Sequence, residues 1–244
     1  MPPLKTTPII IFAVIILFIL FQTVRTMYYI NTGVALAKEA DAVKYEQSPA
    51  NSTMNVLIIG DSTVVGVGAS TPEESIAGLV GKTVPDATIV NKGINGRKTA
   101  SLPTEIESLE KYDLIMLHIG GNDVVRRTGL VELEKNIRAT IQAAKKKSPK
   151  VMLTSSGSLG TALLLPFGTR NYFEQKTRDV RRLFLHVAQE EGIPYVDLFR
   201  EKNVDPFHTE PEKYYSPDLF HPSSIGYALW FERIEPVLTS TLQK

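Results

Sequence analysis

The 244-residue sequence predicts an α/β domain, a three-layer sandwich in which helices cover both faces of a central parallel sheet of about five strands, preceded by an N-terminal transmembrane helix. Three observations predict it. From residue 54 onward, apolar runs of strand length alternate with periodic stretches of helix length. Those runs are continuously apolar, as suits strands covered on both faces. An uncharged apolar run opens the chain.

That opening run, "PIIIFAVIILFILF" from Pro8 to Phe21, follows Lys5. Ile9 to Val24 would extend about 24 Å as a helix, short of a ~30 Å hydrocarbon core, with Tyr28 and Tyr29 placed to anchor the far interface. A cleaved signal peptide competes, because Ala35-Leu36-Ala37 has the small-x-small pattern. That site lies well past the apolar run with Arg25 between, so an uncleaved anchor over residues 1–30 is the preferred reading. Lys5 and the amino terminus on one side nearly balance Arg25 and Lys38 on the other, and charge does not set the orientation. Residues 31–53 are polar and rich in small side chains and read as a stalk, whose first part continues the helix; the folded domain runs over 54–244.

Within it, "NVLIIG" (55–60), "ATIVN" (87–91), "DLIMLHIG" (113–120), "KVMLTS" (150–155) and "IPYVDLF" (193–199) read as strands. Helical patterns fall at about 73–82, 103–111, 130–147, 171–191 and 223–239, with Pro72 a start signal and Gly192 a stop signal. The alternation implies parallel strands joined by right-handed crossovers. Ligands gather outside the carboxyl ends of such strands. Ser62, Asn91 to Gly96, and Gly120 to Asp123 all follow a strand end directly, on one rim.

Composition excludes several classes. With 27 basic and 26 acidic residues the formal charge is +1, so no basic field recruits nucleic acid. The chain has no cysteine, which rules out thiol nucleophiles and cysteine-ligated metals. No histidine or carboxylate spacing suggests a metal site, and no cofactor is expected. "GLVGKT" (78–83) resembles the end of a phosphate-binding loop, but Ile76 stands where the first glycine belongs. No G-x-S-x-G elbow occurs.

Gly60-Asp61-Ser62 sits where a serine can project from a strand end; an ordinary turn is the plain alternative. In "IGGND" (119–123), Asn122 can aim its amide at a developing oxyanion, or Asn122-Asp123 can simply cap a helix. Gly96 of "NKGINGRKT" offers a backbone N–H open to close approach, or again only a turn. A serine nucleophile needs a base. His118 lies in an apolar strand and His186 on a long helix, both as packing residues. "DPFH" (205–208) and "DLFH" (218–221) each place an aspartate three residues before a histidine, and spacing does not separate them. Context favours Asp218 and His221, which lead through Pro222 and Ser223 into an amphipathic terminal helix, over Asp205 and His208 in an irregular loop.

Gly60-Asp61-Ser62, Gly96, Gly120-Gly121-Asn122-Asp123 and Asp218-Leu219-Phe220-His221, in that order, resemble the four blocks of the SGNH (GDSL) hydrolase superfamily over about 55–240. Thr63 stands where the eponymous motif has leucine. The resemblance implies a flavodoxin-like domain that hydrolyses carboxylic esters, with Ser62 as nucleophile, His221 and Asp218 completing the triad, and Ser62, Gly96 and Asn122 forming the oxyanion hole. Lipolytic or short-chain acyl esters are the expected substrates. An O-acetylesterase acting on surface polysaccharide is the alternative, and a non-catalytic anchored binding domain a more distant one. The domain is expected on the extracytoplasmic side, or secreted if the leader is cleaved. Two loops, 156–170 and 200–217 with Phe207, Tyr214 and Tyr215, are expected to overhang the site. Arg97, Lys98 and Arg170 near the rim read as solvated surface.

Overall fold

The computed structural model describes residues 6–243, with side chains from residue 8; Lys5, counted above in the charge balance, lies outside the described residues. A single helix, α1 (Thr6–Ala42), takes up the apolar run and much of the expected stalk. The division at residue 30 thus falls inside a helix, because "VALAKEADA" is made mostly of strong helix formers. An extended segment follows. Its Gln47 exchanges two backbone hydrogen bonds with Ile89, at 3.2 and 2.8 Å, and so ties the chain to the sheet edge.

The sheet contains β1 (Met54–Gly60), β2 (Ala87–Gly93), β3 (Leu114–His118), β4 (Lys150–Thr154) and β5 (Tyr195–Val196). All pairings are parallel, in the order β2-β1-β3-β4-β5. Every residue of β3, all but the first two of β1 and all but the first of β4 are buried, as their apolar runs require. β5 is shorter than the 193–199 the sequence suggested. Asp197 turns the chain by accepting from the Phe199 N–H at 3.2 Å, and Arg233 takes the Asp197 and Phe199 carbonyls at 2.8 and 3.2 Å.

After β1 comes a single turn, α2 (Ser62–Val65), then α3 (Ile76–Thr83). The helix expected over 73–82 is broken at Ser75, whose hydroxyl caps α3 by accepting from the Gly78 N–H at 3.2 Å. "GLVGKT" falls inside α3 and forms no phosphate loop. α4 (Leu102–Ser108) precedes β3, and α5 (Gly121–Val125) and α6 (Leu130–Lys147) follow it. α7 (Arg170–Glu190) leads to β5; α8 (Pro206–Thr209), α9 (Pro211–Tyr214) and α10 (Ser224–Gln243) complete the chain. α3 packs on α10, whereas α4 packs on α6 and α6 on α7. These are the two outer layers that right-handed crossovers produce when the chain steps from β1 to β2 and then back across to β3. The reversal makes the cleft between β1 and β3 the place where a parallel sheet binds its ligand. One apolar core fills both interfaces.

Candidate active site

Strand β1 ends at Gly60 because nothing larger fits: a Cβ there would stand 1.9 Å from the His118 carbonyl oxygen. Asp61 is buried and caps α2, accepting from the Thr63 N–H at 3.0 Å and the Thr63 hydroxyl at 2.7 Å. Ser62 is therefore the first residue of a short capped helix rather than part of a loose turn. Asn91 holds that helix from β2, donating to the Val64 carbonyl at 2.8 Å.

On the far side of the rim, the chain from Tyr214 to Ser223 folds back on itself. The Ser216 N–H donates to the His221 carbonyl at 2.8 Å, Leu219 N–H to Ser216 at 2.9 Å, and Ser223 N–H to Tyr214 at 2.8 Å. Leu219 adopts φ +55°, an unusual value for leucine, and so brings Asp218 and His221 to the same side. Asp218 is fully buried. Its Oδ1 accepts from the Ser216 hydroxyl and from the N–H groups of Phe220 and His221, at 2.8, 2.9 and 2.9 Å. Its Oδ2 lies 2.6 Å from His221 Nδ1, and His221 Nε2 lies 2.9 Å from Ser62 Oγ. Burial alone would raise the Asp218 carboxyl, but the hydrogen bonds and charge of His221 outweigh it and hold the group below the usual aspartate range.

The third stretch starts at Gly120, which takes φ +113° to cap α5. Asn122 lies in the first turn. Asp123 is buried and reaches across to the second-block turn, accepting from the Thr99 N–H at 2.9 Å and its hydroxyl at 2.7 Å. This carboxylate fastens the Gly96 turn to α5, a tie that spacing gave no means of anticipating. Gly96 has φ +74°, and an added Cβ would meet Arg126 at 3.3 Å. Arg97 differs from expectation: it is buried, donating to the Lys92 carbonyl at 2.7 Å and pairing with Glu105, so it is not a solvated cation.

Ser62, Asn122 and His221 line one cavity open to solvent; Gly96 is not among its lining residues. Its wall is aromatic, with Phe207, Tyr215, Phe220 and Trp230. Tyr215 is held by a 2.6 Å hydrogen bond to Thr161, and Phe207 packs on Trp230 with centroids 5.6 Å apart. Trp230 escaped notice in the sequence, because it lies six residues into α10 and reaches the cavity only through the packing of that helix on the domain. Tyr214 packs behind Phe207 and does not line the cavity.

The other histidines lie elsewhere. His118 is buried without a hydrogen-bond partner among the described residues, packed near Trp230, and burial lowers it to about 4 against the pull of Asp61. His186 is exposed on α7 beside Glu190. Asp205 and His208 are not in an irregular loop: Asp205 caps α8, accepting from the Phe207 N–H at 3.1 Å, because Pro206 supplies a helix-ready first residue.

Helix α1 crosses the same rim. Gly33 passes so close to the buried aspartate that a Cβ would lie 2.9 Å from Asp218 Oδ2, and Asn95 donates to the Ala37 carbonyl at 3.2 Å.

A serine–imidazole–carboxylate chain beside an apolar cavity is equipped for acyl transfer, and the comparisons with known proteins agree in kind. Esterase TesA of Pseudomonas aeruginosa is 29% identical over 157 residues, covering 62% of this chain and 73% of that protein. The GDSL-like esterase Rv1075c of Mycobacterium tuberculosis is 23% identical, covering 72% of this chain and 59% of its own length. Among solved structures, that of TesA superposes with a TM-score of 0.63 at 24% identity, over 77% of this chain and 99% of TesA. A lipolytic G-D-S-L protein from Veillonella parvula gives 0.61 at 18% identity, over 76% and 98%. These two speak to the fold alone. The profile of the GDSL-like Lipase/Acylhydrolase family matches residues 58–229, from the middle of β1 to the first turns of α10 and across every block described above, and on that match the chain belongs to this family of carboxylic ester hydrolases.

Proposed function

We propose that Ser62 is the nucleophile of a two-step acyl transfer, with His221 as base and Asp218 as its partner. The observation that carries this reading is the unbroken contact from Ser62 Oγ through both ring nitrogens of His221 to Asp218 Oδ2, at 2.9 and 2.6 Å. Ser62 attacks the ester carbonyl as His221 Nε2 takes its proton. Asp218, acceptor of the Nδ1 proton, fixes the tautomer and offsets the imidazolium charge. The Ser62 N–H, the Gly96 N–H and the Asn122 amide receive the oxyanion. In support, neither the Ser62 nor the Gly96 N–H donates to an acceptor among the described residues. His221 then protonates the leaving alcohol, and water repeats the sequence on the acyl-enzyme.

The aromatic wall favours an ester with an apolar acyl or aryl group, so a lipolytic or short-chain acyl esterase is the substrate reading we adopt. Residues 1–30 serve as a membrane anchor in this proposal, since α1 is long and apolar enough to cross a bilayer, and 54–244 form the hydrolase domain on the extracytoplasmic side. Ser62→Ala is the deciding variant. It is expected to abolish both hydrolysis of a short p-nitrophenyl ester and labelling by a fluorophosphonate, with an unchanged circular dichroism spectrum; retained turnover would exclude Ser62.

A further inference from the structure

A helix needs about 20 residues to span a ~30 Å hydrocarbon core. Residues 8–21 of α1 are exposed on all sides, but from Gln22 onward one face packs on the domain, with Gln22, Arg25, Tyr29, Gly33 and Leu36 recurring at helical spacing. The free length is thus about 21 Å, roughly 10 Å short of a span. What lies beside the missing length is the loop after β4, "LLLPFG" (163–168). Phe167 packs edge-on against Phe18, with centroids 6.3 Å apart, yet is 69% exposed. Pro166 and Phe167 face Ile19 and Met27 across an open groove that Gln22, Thr23 and Thr26 also line. The Leu163 carbonyl accepts from Arg25, whose guanidinium lies 5.2 Å over the Tyr29 ring. Cations and tyrosines of this kind sit at the level of lipid headgroups.

Resting on the anchor reading above, we propose that loop 163–168 is a second membrane contact, in which Phe167 enters the bilayer beside α1 and lipid acyl chains occupy the groove between them. The length of α1 argues for lipid as the occupant: a span counted from Pro8 ends near Met27, which carries the loop's contacts with Phe18 and Ile19 into the apolar layer. Earlier residues of the same loop, Leu159 and Thr161, line the catalytic cavity, so the insertion holds the cavity mouth at the lipid surface.

Because the chain has no cysteine, single labels are simple to place. The full chain carrying Ile15→Cys, Phe167→Cys or Lys146→Cys, each bearing an environment-sensitive fluorophore, is reconstituted in phosphatidylcholine vesicles with and without an acyl-chain nitroxide lipid. Lys146 lies in the last turn of α6, just before the amino end of β4 and so away from the rim formed by the carboxyl ends of the strands. Labels at 15 and 167 are expected to lose more than half their emission and the label at 146 little. Quenching at 15 but not at 167 overturns the loop contact and leaves the anchor standing. Quenching at neither removes the anchor reading itself. Equal quenching at 146 overturns the proposal as indiscriminate adhesion. A label at 167 that is shielded from water but not quenched by the nitroxide lipid means a protein occupant, a second copy included, and overturns it too. As a functional readout, Phe167→Asp should lose roughly tenfold of its turnover on a long-chain ester held in vesicles while hydrolysis of a soluble acetate ester is unchanged; an equal effect on both overturns the proposal.

Discussion

Asp205-Pro206-Phe207-His208 and Asp218-Leu219-Phe220-His221 share a spacing and almost a composition, yet only the second joins its two side chains. In the first, proline at the second position starts a helix, and the aspartate becomes its cap, with its carboxylate turned to the Phe207 N–H. In the second, Leu219 takes φ +55° and opens a tight turn. Three donors then saturate Oδ1 and leave Oδ2 directed at the ring. The environments diverge accordingly. Burial pushes the Asp205 carboxyl up to about 6 despite the Phe207 N–H and the charges of Arg200 and Arg233, whereas the contacts of His221 overcome the burial of Asp218. A motif written as D-x-x-H thus depends on the backbone between its ends.

The contrast breaks most easily at the histidines. His221→Ala is expected to lower kcat on a short p-nitrophenyl ester by about 10⁴-fold, while His208→Ala stays within about twofold of the parent. The reverse result would transfer the base to the other segment. Asn122→Ala, which removes one of the proposed oxyanion donors without touching either pair, should cost ~10²–10³ in kcat with little change in KM. A KM-only effect would make it a binding residue. Gly33→Leu presses on Asp218 from outside the segment, and its displacement of α1 is expected to lower kcat about tenfold, with Gly33→Ala intermediate; full activity in both would show that α1 does not bear on the pair. The smallest effect concerns stability. Because the folded pKa of Asp205 stands above its ordinary value of 3.8, its contribution is complete below that value and is lost as pH rises through about 6. Asp205→Asn, which keeps the cap, should therefore be more stable than the parent by roughly 1–2 kcal/mol at pH 8 and similar to it at pH 4, by urea denaturation.

Strands and long helices were legible where burial dictates composition. β3 and β4 lie within their apolar runs, β1 starts one residue before its own, and α6 occupies 130–147 as its periodicity indicated. The single-turn helices α2, α5, α8 and α9 were not legible, since four or five residues carry no period. The first three site blocks could be placed on the rim because each follows a strand end, whereas the Asp218–His221 block follows α9 and was placed by its position before the terminal helix. What joins them could not be read: the Asp123–Thr99 tie, the Trp230 wall and the approach of Gly33 to Asp218 are contacts between distant segments that leave no local pattern. Arg97 misled for the same reason, because its partner Glu105 lies around a bend of the chain.

The fold-back of residues 214–223 has one more consequence. Its internal hydrogen bonds make the imidazole and its carboxylate a preassembled cassette, while the link to the serine crosses between independent parts of the chain. On the proposed mechanism, gentle loosening of the terminal helix should thus silence the enzyme by parting the cassette from Ser62, with Asp218 and His221 still paired. Inactivation in that order would be reversible by redocking alone.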